Sequence, residues 1–481
     1  MSTIDLSSIN SLSKGPAEKN GYAIFIPSIS PVYLKNIGRQ NEAFRDGCLP
    51  ASIDGTLRNL NFLDNQCKNF FYKWGLYSAG HTKGDFTAAL GDEQVLRNRQ
   101  PGQSVIMADS GGFQIARQQW QIDVTNPEAL FRARESVLKW AEGFADIIVP
   151  LDFPTNEAVM RQENFDFSSC LRYTEGSLEF MVNQRDRTTK ALYLNVLQGA
   201  DWGQAKEWFS VVKRFDSLDG WSIPWRFHEN LHSLLQFLLI MKHDGALDNC
   251  RWLHFFGVAR LNLVGGLTLL MRALREHVRP DLVVSYDAAS PFISGGRVQQ
   301  AYSGLSFRRD GEVVFEPCRV PNSAHYVHSD KPFPFATSPI GREMKLGDLC
   351  ALPEGKRRQS DRLSHWDTLS SLMLMNHNLY VHIDAINQLN RIVDVSSEFD
   401  MGLQLPKQYQ KLADVLDRIF AMGQSREQAN QIVLDNKNVL EFFDRSSYVT
   451  VAQLIQGERP DWWNTDLEPF PYFSEVPWFE E

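Results

Sequence analysis

Residues 104–114, SVIMADSGGFQ, join a short apolar run to an aspartate that a glycine turn follows. Residues 282–290, LVVSYDAAS, repeat this order with a second aspartate. Continuous apolar runs of this length are typical of buried strands, and glycine marks the turn that follows such a strand. Asp109 and Asp287 are therefore each predicted at the end of a strand. Two carboxylates at two strand ends indicate a functional site.

Other apolar runs have the same strand character, and helical patterns separate the later ones. Further strands are predicted at 23–26, 147–149, 192–197, 221–223 and 253–256. Amphipathic helices are predicted at 127–143, 202–214, 228–243 and 263–278. Strands that are apolar throughout favour a parallel sheet covered by helices. We therefore expect an α/β fold, a (β/α)8 TIM barrel whose strand ends open onto one face. A doubly wound sheet, the alternative, places fewer strand ends around one pocket.

Composition limits the class of protein. The chain has 481 residues, 43% of them hydrophobic, which suits one large barrel domain with appendages. No apolar run is long enough for a membrane span, and the N-terminus has no export signal, so we expect a cytoplasmic protein. The net charge of −9 means that any contact with a nucleic acid requires a local basic patch. Residues 356–358 with Arg362, or residues 308–309, could form one, although a solvated surface is the simpler interpretation of each.

The sequence predicts three parts. Residues 1–330 form the barrel, and a Pro-rich segment that begins KPFPF opens a barrel-completing subdomain at 331–394. A long helix is predicted at 363–394 within it. Residues 395–481 form a helical C-terminal extension, with helices at 407–422, 425–434 and 436–445.

The polar residues after the predicted strands are suited to hydrogen-bond guanine. An ionised carboxylate only accepts hydrogen bonds, and guanine offers N1–H and N2–H₂ as donors. Asp109 and Asp152 are candidates for that pair of acceptors, and the Gln198 amide could donate to O6. Glycines such as Gly111 let the backbone approach a flat ligand closely. Asp287 could then attack the sugar C1′ as guanine leaves.

Each of these motifs has a simpler structural interpretation. DSGG is a common turn, Asp152 could cap the loop that begins Phe153-Pro154, and Gln198-Gly199 is weak alone. Asp287 could equally be a helix N-cap. Their joint occurrence at successive strand ends favours a functional site.

Seven short motifs, in order, resemble the tRNA-guanine transglycosylase family, which exchanges guanine in a nucleic acid for a 7-deazaguanine. They are MADSGGFQ (107–114), ADIIVPLDFPT (145–155), VLQG (196–199), DG (219–220), FGV (256–258), YDAAS (286–290) and HNLYV (377–381). The resemblance covers about residues 22–394. The second motif is most similar to the archaeosine-type branch.

The resemblance implies a (β/α)8 barrel and a set of roles. Asp287 would be the nucleophile, Asp109 the general acid/base and a guanine contact, and Asp152 with Gln198 would recognise the base. The other substrate-binding residues that it implies are Ser110, Gly111, Gly112, Phe113, Gly199, Phe256 and Gly257. The chemistry needs no cofactor.

The chain also departs from the family. Pro224-Trp225 stands where a Gly-Gly pair is usual, which removes a backbone N–H donor and leaves the choice of base open. The family's structural zinc motif, CxCxxC with a later histidine, is absent. A rebuilt structural zinc site is one hypothesis, and ordinary loop residues are the other. Its candidate ligands are Cys318, His325, His328 and Cys350, with His365 nearby.

These departures resemble the branch that inserts 7-deazaguanine into DNA, the DpdA group of DNA-guanine transglycosylases. An RNA-binding module of the kind many archaeal members carry is missing, and residues 395–481 differ from the family's usual ending. We therefore expect a DNA-guanine transglycosylase that uses a preQ0-like base, with helper proteins to open the duplex. The alternatives are a tRNA-guanine transglycosylase and, in another class, a non-catalytic partner subunit that binds nucleic acid.

Overall fold

A computed structural model describes most of the chain. The described residues are 21–38, 50, 57–100, 102–116, 118–224, 230–258, 260–307, 313–357, 363–395 and 404–444. Among them, no helix combines the length and apolar character needed to cross a membrane.

Eight parallel strands form a nearly closed barrel. They are β1 (Ile24–Pro27), β2 (Trp74–Ser78), β3 (Val105–Asp109), β4 (Ile147–Ile148), β5 (Leu192–Val196), β6 (Gly220–Pro224), β7 (Trp252–Phe256) and β8 (Val283–Ala288). Their order in the sheet is β1-β8-β7-β6-β5-β4-β3-β2. The Ile29 N–H donates to the Leu76 carbonyl (2.9 Å) and joins the end of β1 to β2. The expected TIM-barrel architecture is confirmed.

Helices surround the strands and continue beyond them. They are α1 (Pro31–Ile37), α2 (Phe86–Asp92), α3 (Gln94–Arg97), α4 (Gly112–Ala116), α5 (Pro127–Glu142), α6 (Glu157–Met160), α7 (Phe167–Gln184), α8 (Trp202–Val212), α9 (Leu231–His243), α10 (Leu261–His277), α11 (Ser290–Ile293), α12 (Pro339–Glu343), α13 (Leu346–Leu349), α14 (Thr368–Val395), α15 (Gln404–Phe420), α16 (Arg426–Asp435) and α17 (Lys437–Asp444). The last three confirm the helical C-terminal region.

The barrel interior explains why the site residues face inward. A buried cluster fills it, made of Ile26, Trp74, Leu76, Val105, Met107, Ile147, Val149, Leu192, Leu194, Val196, Trp252 and Val283. Side chains alternate along a strand, so every second residue faces the same side. Asp109 is in phase with Val105 and Met107, and Asp287 is in phase with Val283. Both carboxylates therefore continue the inward-facing row at the carboxyl end of the barrel.

The C-terminal helices pack on the outside of the barrel. Helix α15 lies against α10, where a Cβ added at Gly265 would come 2.4 Å from the Tyr409 ring. Tyr409 stacks on Phe443 of α17, with ring centroids 5.7 Å apart. The glycine thus lets an aromatic side chain reach the helix backbone, and residues 404–444 cover a face of the barrel helices.

A long insertion separates β8 from the helix that completes the barrel, α14. It contains the antiparallel hairpin β9 (Gln300–Phe307) and β10 (Val313–Arg319) and the short pair β11 (Lys356–Arg357) and β12 (Leu363–Ser364). The Asn378 side chain on α14 accepts from the Tyr302 N–H (2.8 Å) and donates to the Gln300 carbonyl (2.8 Å). His377 Nε2 lies 2.9 Å from the Tyr302 carbonyl. These contacts fix the hairpin on α14.

Several elements differ from the sequence predictions. Strand β2 and helix α7 were not predicted, and neither was the β9–β10 hairpin. The long helix begins at Thr368 rather than at 363, because Leu363 and Ser364 form strand β12. The helices predicted along the barrel end within a few residues of the observed ones.

Candidate active site at the barrel mouth

Three carboxylates lie at the same end of the barrel. Asp109 is the last residue of β3, Asp152 lies four residues after β4, and Asp287 is the fifth residue of β8. The negative charges of Asp152 and Asp287 both raise the pKa of Asp109, so each of these two carboxylates lies within electrostatic reach of Asp109. The structure therefore brings together the carboxylates that the sequence predicted.

Asp109 has a strongly shifted pKa. Burial, the charge of Asp152 and then the charge of Asp287 raise it from 3.8 to about 7. Hydrogen bonds from the Ser78 side chain and the Gly111 backbone partly oppose the rise. Desolvation penalises the ionised form, and a like charge nearby penalises it further. Asp109 can therefore hold or release a proton near neutral pH, which a general acid/base requires.

Asp152 is buried in a fixed hydrogen-bond network. The Ser110 hydroxyl donates to its Oδ1, and Gln198 Nε2 donates to its Oδ2 at 2.5 Å. Burial raises the pKa of Asp152, and these two hydrogen bonds lower it. Each carboxylate oxygen can accept a second hydrogen bond, and the Gln198 amide has a second N–H. The network fixes these groups and leaves each able to contact a ligand.

The two glycines after Ser110 are required by close contacts. Gly111 has a φ of +87°, and a Cβ there would lie 2.4 Å from the Gly80 nitrogen. A Cβ at Gly112 would lie 2.7 Å from Asp152 Oδ1. Residues with side chains rarely adopt such a φ, and both approaches are shorter than normal contacts. The pair therefore brings the turn after β3 against Asp152.

Asp287 is held at one carboxylate oxygen, whereas Asp152 is held at both. Its Oδ1 accepts the Gly257 backbone N–H at 2.8 Å. Gly257 has a φ of +75°, and a Cβ there would meet no atom of the described residues within 4 Å. His254 Nε2 lies 3.5 Å from the same oxygen. Among the described residues, the carboxylate is thus anchored by one of its two oxygens, an arrangement that suits a nucleophile.

The remaining predicted contacts lie around these groups. Gly199 is buried with a φ of +146°, and Phe256 is half-buried with its ring edge-on to His254, 4.5 Å between centroids. Pro224 ends β6, whereas Trp225 and residues 226–229 lie outside the described residues. Phe113 is the second residue of α4, and its side chain also lies outside the described part of the structure.

The predicted zinc ligands do not converge on one point among the described residues. Cys318 and Cys350 are buried, whereas His325 and His328 are exposed. The Cys350 thiol donates to the Pro321 carbonyl. A tetrahedral site needs about four ligand atoms around one point. Among the described residues, the one group of three or more ligand side chains that converges lies elsewhere, at the surface, and consists of Glu276, His277 and Asp417.

Two residues near the carboxylates were missed from the sequence. Ser78 hydrogen-bonds Asp109, and it lies directly beside it because β2 and β3 pair in register. His254 approaches Asp287. His254 lies two residues before Phe256, so both side chains are on the inward face of β7. This spacing could have been recognised in the sequence. The Ser78 contact could not be predicted, because strand β2 itself was missed.

No protein-family model matches the chain, and a search of curated proteins gives no match. The functional assignment therefore depends on the residues and geometry of the barrel mouth.

Proposed function

We propose that the chain is a nucleic-acid guanine transglycosylase that acts on DNA and exchanges guanine for a 7-deazaguanine such as preQ0. One observation carries the proposal. Asp109, with a pKa of about 7, lies within electrostatic reach of both Asp152 and Asp287 at the barrel mouth. A proton carrier, a base-reading carboxylate and a nucleophile are the three functions that a base exchange requires.

The first step forms a covalent intermediate. A carboxylate oxygen of Asp287 attacks C1′ of the sugar, and the C1′–N9 bond breaks with its electron pair moving to guanine. Asp109 donates its proton to the departing base. The products are an aspartyl–sugar ester, neutral guanine and the Asp109 carboxylate. Asp109 is suited to this role because its raised pKa keeps the carboxyl group protonated up to about pH 7.

The second step reverses the first with a different base. Asp109 removes the N9 proton of the incoming 7-deazaguanine, whose nitrogen attacks C1′. The C1′–oxygen bond breaks, and its electron pair restores the Asp287 carboxylate. No external oxidant, reductant or cofactor is needed, because one glycosidic bond replaces another of similar energy.

Base recognition follows from the network around Asp152. Its oxygens accept from Ser110 and Gln198 and retain capacity for guanine N1–H and N2–H₂. The second Gln198 N–H can donate to O6. Adenine presents a donor where guanine presents O6 and lacks the 2-amino group, so it leaves these partners unpaired. Such mismatches typically cost about 1–3 kcal/mol per buried group.

The choice of DNA over tRNA depends on departures from the tRNA enzymes. Pro224-Trp225 replaces the usual glycine pair, and residues 395–481 differ from the usual ending. A base must leave the duplex to reach the mouth, at a cost of a few kcal/mol, so contacts outside the pocket must hold the distorted strand. Lys356 and Arg357 are exposed in β11, and the neighbouring Arg358 and Arg362 lie outside the described residues, as do Arg308 and Arg309.

The test is incorporation of radiolabelled guanine or preQ0 by the purified protein into DNA and, separately, into tRNA. We expect label in DNA that decreases as salt increases, because phosphate contacts release counterions. The Asp287→Asn variant is the control for adventitious labelling. Label in tRNA with none in DNA would leave the transglycosylase proposal standing and reject DNA as the substrate. No label in either, with helper-containing extract added, would favour a non-catalytic subunit.

A further inference from the structure

A buried chain of hydrogen bonds leads to the carboxylate of Asp287. The Trp252 indole N–H donates to Ser285 Oγ at 2.7 Å, and His254 Nδ1 lies 2.8 Å from the same oxygen. Trp252 and His254 lie on β7, and Ser285 lies opposite His254 on β8. All three side chains are buried in the barrel interior. The chain therefore runs from the barrel core toward its mouth.

The other ring nitrogen of His254 faces the nucleophile. His254 Nε2 is buried without a hydrogen-bond partner in the described structure, and it lies 3.5 Å from Asp287 Oδ1. A buried polar atom left unpaired costs free energy. Asp287 Oδ1 is an acceptor at a distance that a small side-chain movement would shorten, as hydrogen bonds at active sites often do when substrate binds.

The geometry also selects the tautomer of His254. Ser285 Oγ accepts from Trp252, so its own hydroxyl proton is available for His254 Nδ1. This arrangement puts the ring proton on Nε2, toward the carboxylate. The opposite tautomer would place the Nε2 lone pair against a carboxylate oxygen, which is repulsive. Of the two tautomers, the one with its proton on Nε2 is therefore the one that these contacts favour.

We propose that His254 is a positioning residue for the nucleophile. Its Nε2–H and the Gly257 N–H hold Asp287 Oδ1, so that Oδ2 is turned toward the sugar C1′. This inference rests on the proposed function, in which Asp287 attacks C1′. Among the described residues no donor binds Oδ2, which leaves that oxygen available for bond formation.

The same two donors act in both steps of the exchange. In the ester intermediate Oδ2 is bonded to C1′, and Oδ1 becomes the carbonyl oxygen. When the ester breaks, negative charge returns to the carboxylate and the two N–H groups stabilise it. Loss of one donor should therefore reduce turnover, whereas binding of the nucleic acid and of the free base should change little.

The test compares variants that keep or remove the donor. His254→Phe keeps a planar ring without the N–H, and His254→Gln retains an N–H donor of similar reach. We expect His254→Phe to lower kcat about 10- to 100-fold, the usual effect of a hydrogen bond to a charged group, with KM nearly unchanged. His254→Gln should recover most of that loss. Ser222→Ala is the matched control, since Ser222 is buried opposite His254 on β6 and its hydroxyl donates to the Asn195 carbonyl.

Two results would overturn the inference. One is a His254→Phe variant with wild-type kcat, and the other is equal loss in the Phe and Gln variants, which would indicate packing alone. A second measurement does not depend on catalysis. Nitrogen-15 NMR of labelled histidine, assigned with the His254 variants, should show a proton on His254 Nε2. An Nδ1–H tautomer would overturn the inference while leaving the exchange activity intact. Absence of exchange in the wild type would instead reject the proposed function.

Discussion

The barrel mouth has two corners that hold their carboxylates in opposite ways. At the β3–β4–β5 corner, both oxygens of Asp152 already accept hydrogen bonds, from Ser110 and Gln198. At the β7–β8 corner, Asp287 is held at one oxygen by the Gly257 N–H. A carboxylate that reads a base benefits from fixed geometry, whereas a nucleophile needs one oxygen free to form a bond. In the proposed exchange this difference would separate base recognition from bond formation, and the charges of both carboxylates act on Asp109.

The largest expected effect comes from removing the proposed nucleophile, Asp287. Asp287→Asn keeps the size of the side chain but replaces the attacking oxygen by a poor nucleophile, so the rate of exchange should fall by about 10⁴-fold or more. The covalent enzyme–nucleic acid adduct, measured on denaturing gels, should disappear. Circular dichroism should show an intact fold. Normal turnover by this variant would show that Asp287 is not the nucleophile. The proposed difference in function between the two corners would then be wrong.

The next effect concerns Asp109, the proposed proton carrier. Asp109→Asn cannot transfer a proton, and loss of a general acid/base typically lowers a rate by about 10²–10⁴-fold. In the wild type, adduct formation requires protonated Asp109, so its single-turnover rate should fall about tenfold for each pH unit above the pKa of about 7. A wild-type rate that stays constant from pH 6 to 9 would contradict this role.

The same substitution should affect stability in the opposite direction. The pKa of Asp109 rises from 3.8 to about 7 on folding, so below pH 3.8 both states are protonated and there is no penalty. Between those values the unfolded chain loses its proton first, and wild-type stability falls as pH rises, reaching its full penalty above about pH 7. Asp109→Asn should therefore be more stable than wild type by about 2–4 kcal/mol at pH 8 and by little at pH 4. Thermal unfolding at both pH values measures this difference.

A smaller effect is expected at the recognition corner. Asp152→Asn keeps the volume but turns one acceptor into a donor that faces guanine N1–H or N2–H₂, so kcat/KM for guanine should fall by about 1–3 kcal/mol, or 5- to 150-fold. Gln198→Ala, its comparison variant, removes one donor and should lose less, because Ser110 still orients Asp152. Adduct should still form at saturating substrate. Complete loss of adduct in Asp152→Asn would mean that this corner takes part in bond making.

Local patterns were enough to predict most of the barrel and its three carboxylates. Apolar strands and the residues that follow them can be recognised from consecutive positions in the sequence. Strand alternation then fixes which side chains face inward. Strand β2 was missed because its second residue, Gly75, interrupts the apolar run. A Cβ at this position would lie 2.8 Å from Ile29 Cδ1. The close packing here therefore requires Gly75, the same residue that made the strand hard to recognise.

The missed features depend on contacts between distant parts of the chain. Helix α7 has a mixed sequence with Gly176 in its middle, where a Cβ would meet the Arg134 guanidinium at 2.6 Å. The approach of His254 to Asp287 depends on the β7–β8 register, in which His254 pairs with Ser285. Neither the register nor the packing of a neighbouring helix can be read from one segment of sequence.

The smallest expected effect concerns metal. Within the described residues the predicted ligands do not converge on one point, since Cys318 and Cys350 are buried and His325 and His328 are exposed. Because these side chains do not converge, we expect Cys318→Ala to change zinc content and exchange rate by less than about twofold, with a modest loss of packing stability. Elemental analysis of purified protein and thermal unfolding with and without a chelator test this expectation. One zinc per chain that Cys318→Ala removes, with a matching drop in unfolding temperature, would show that the insertion between β8 and α14 rearranges around a metal. The two corners would then depend on a third region for their positions.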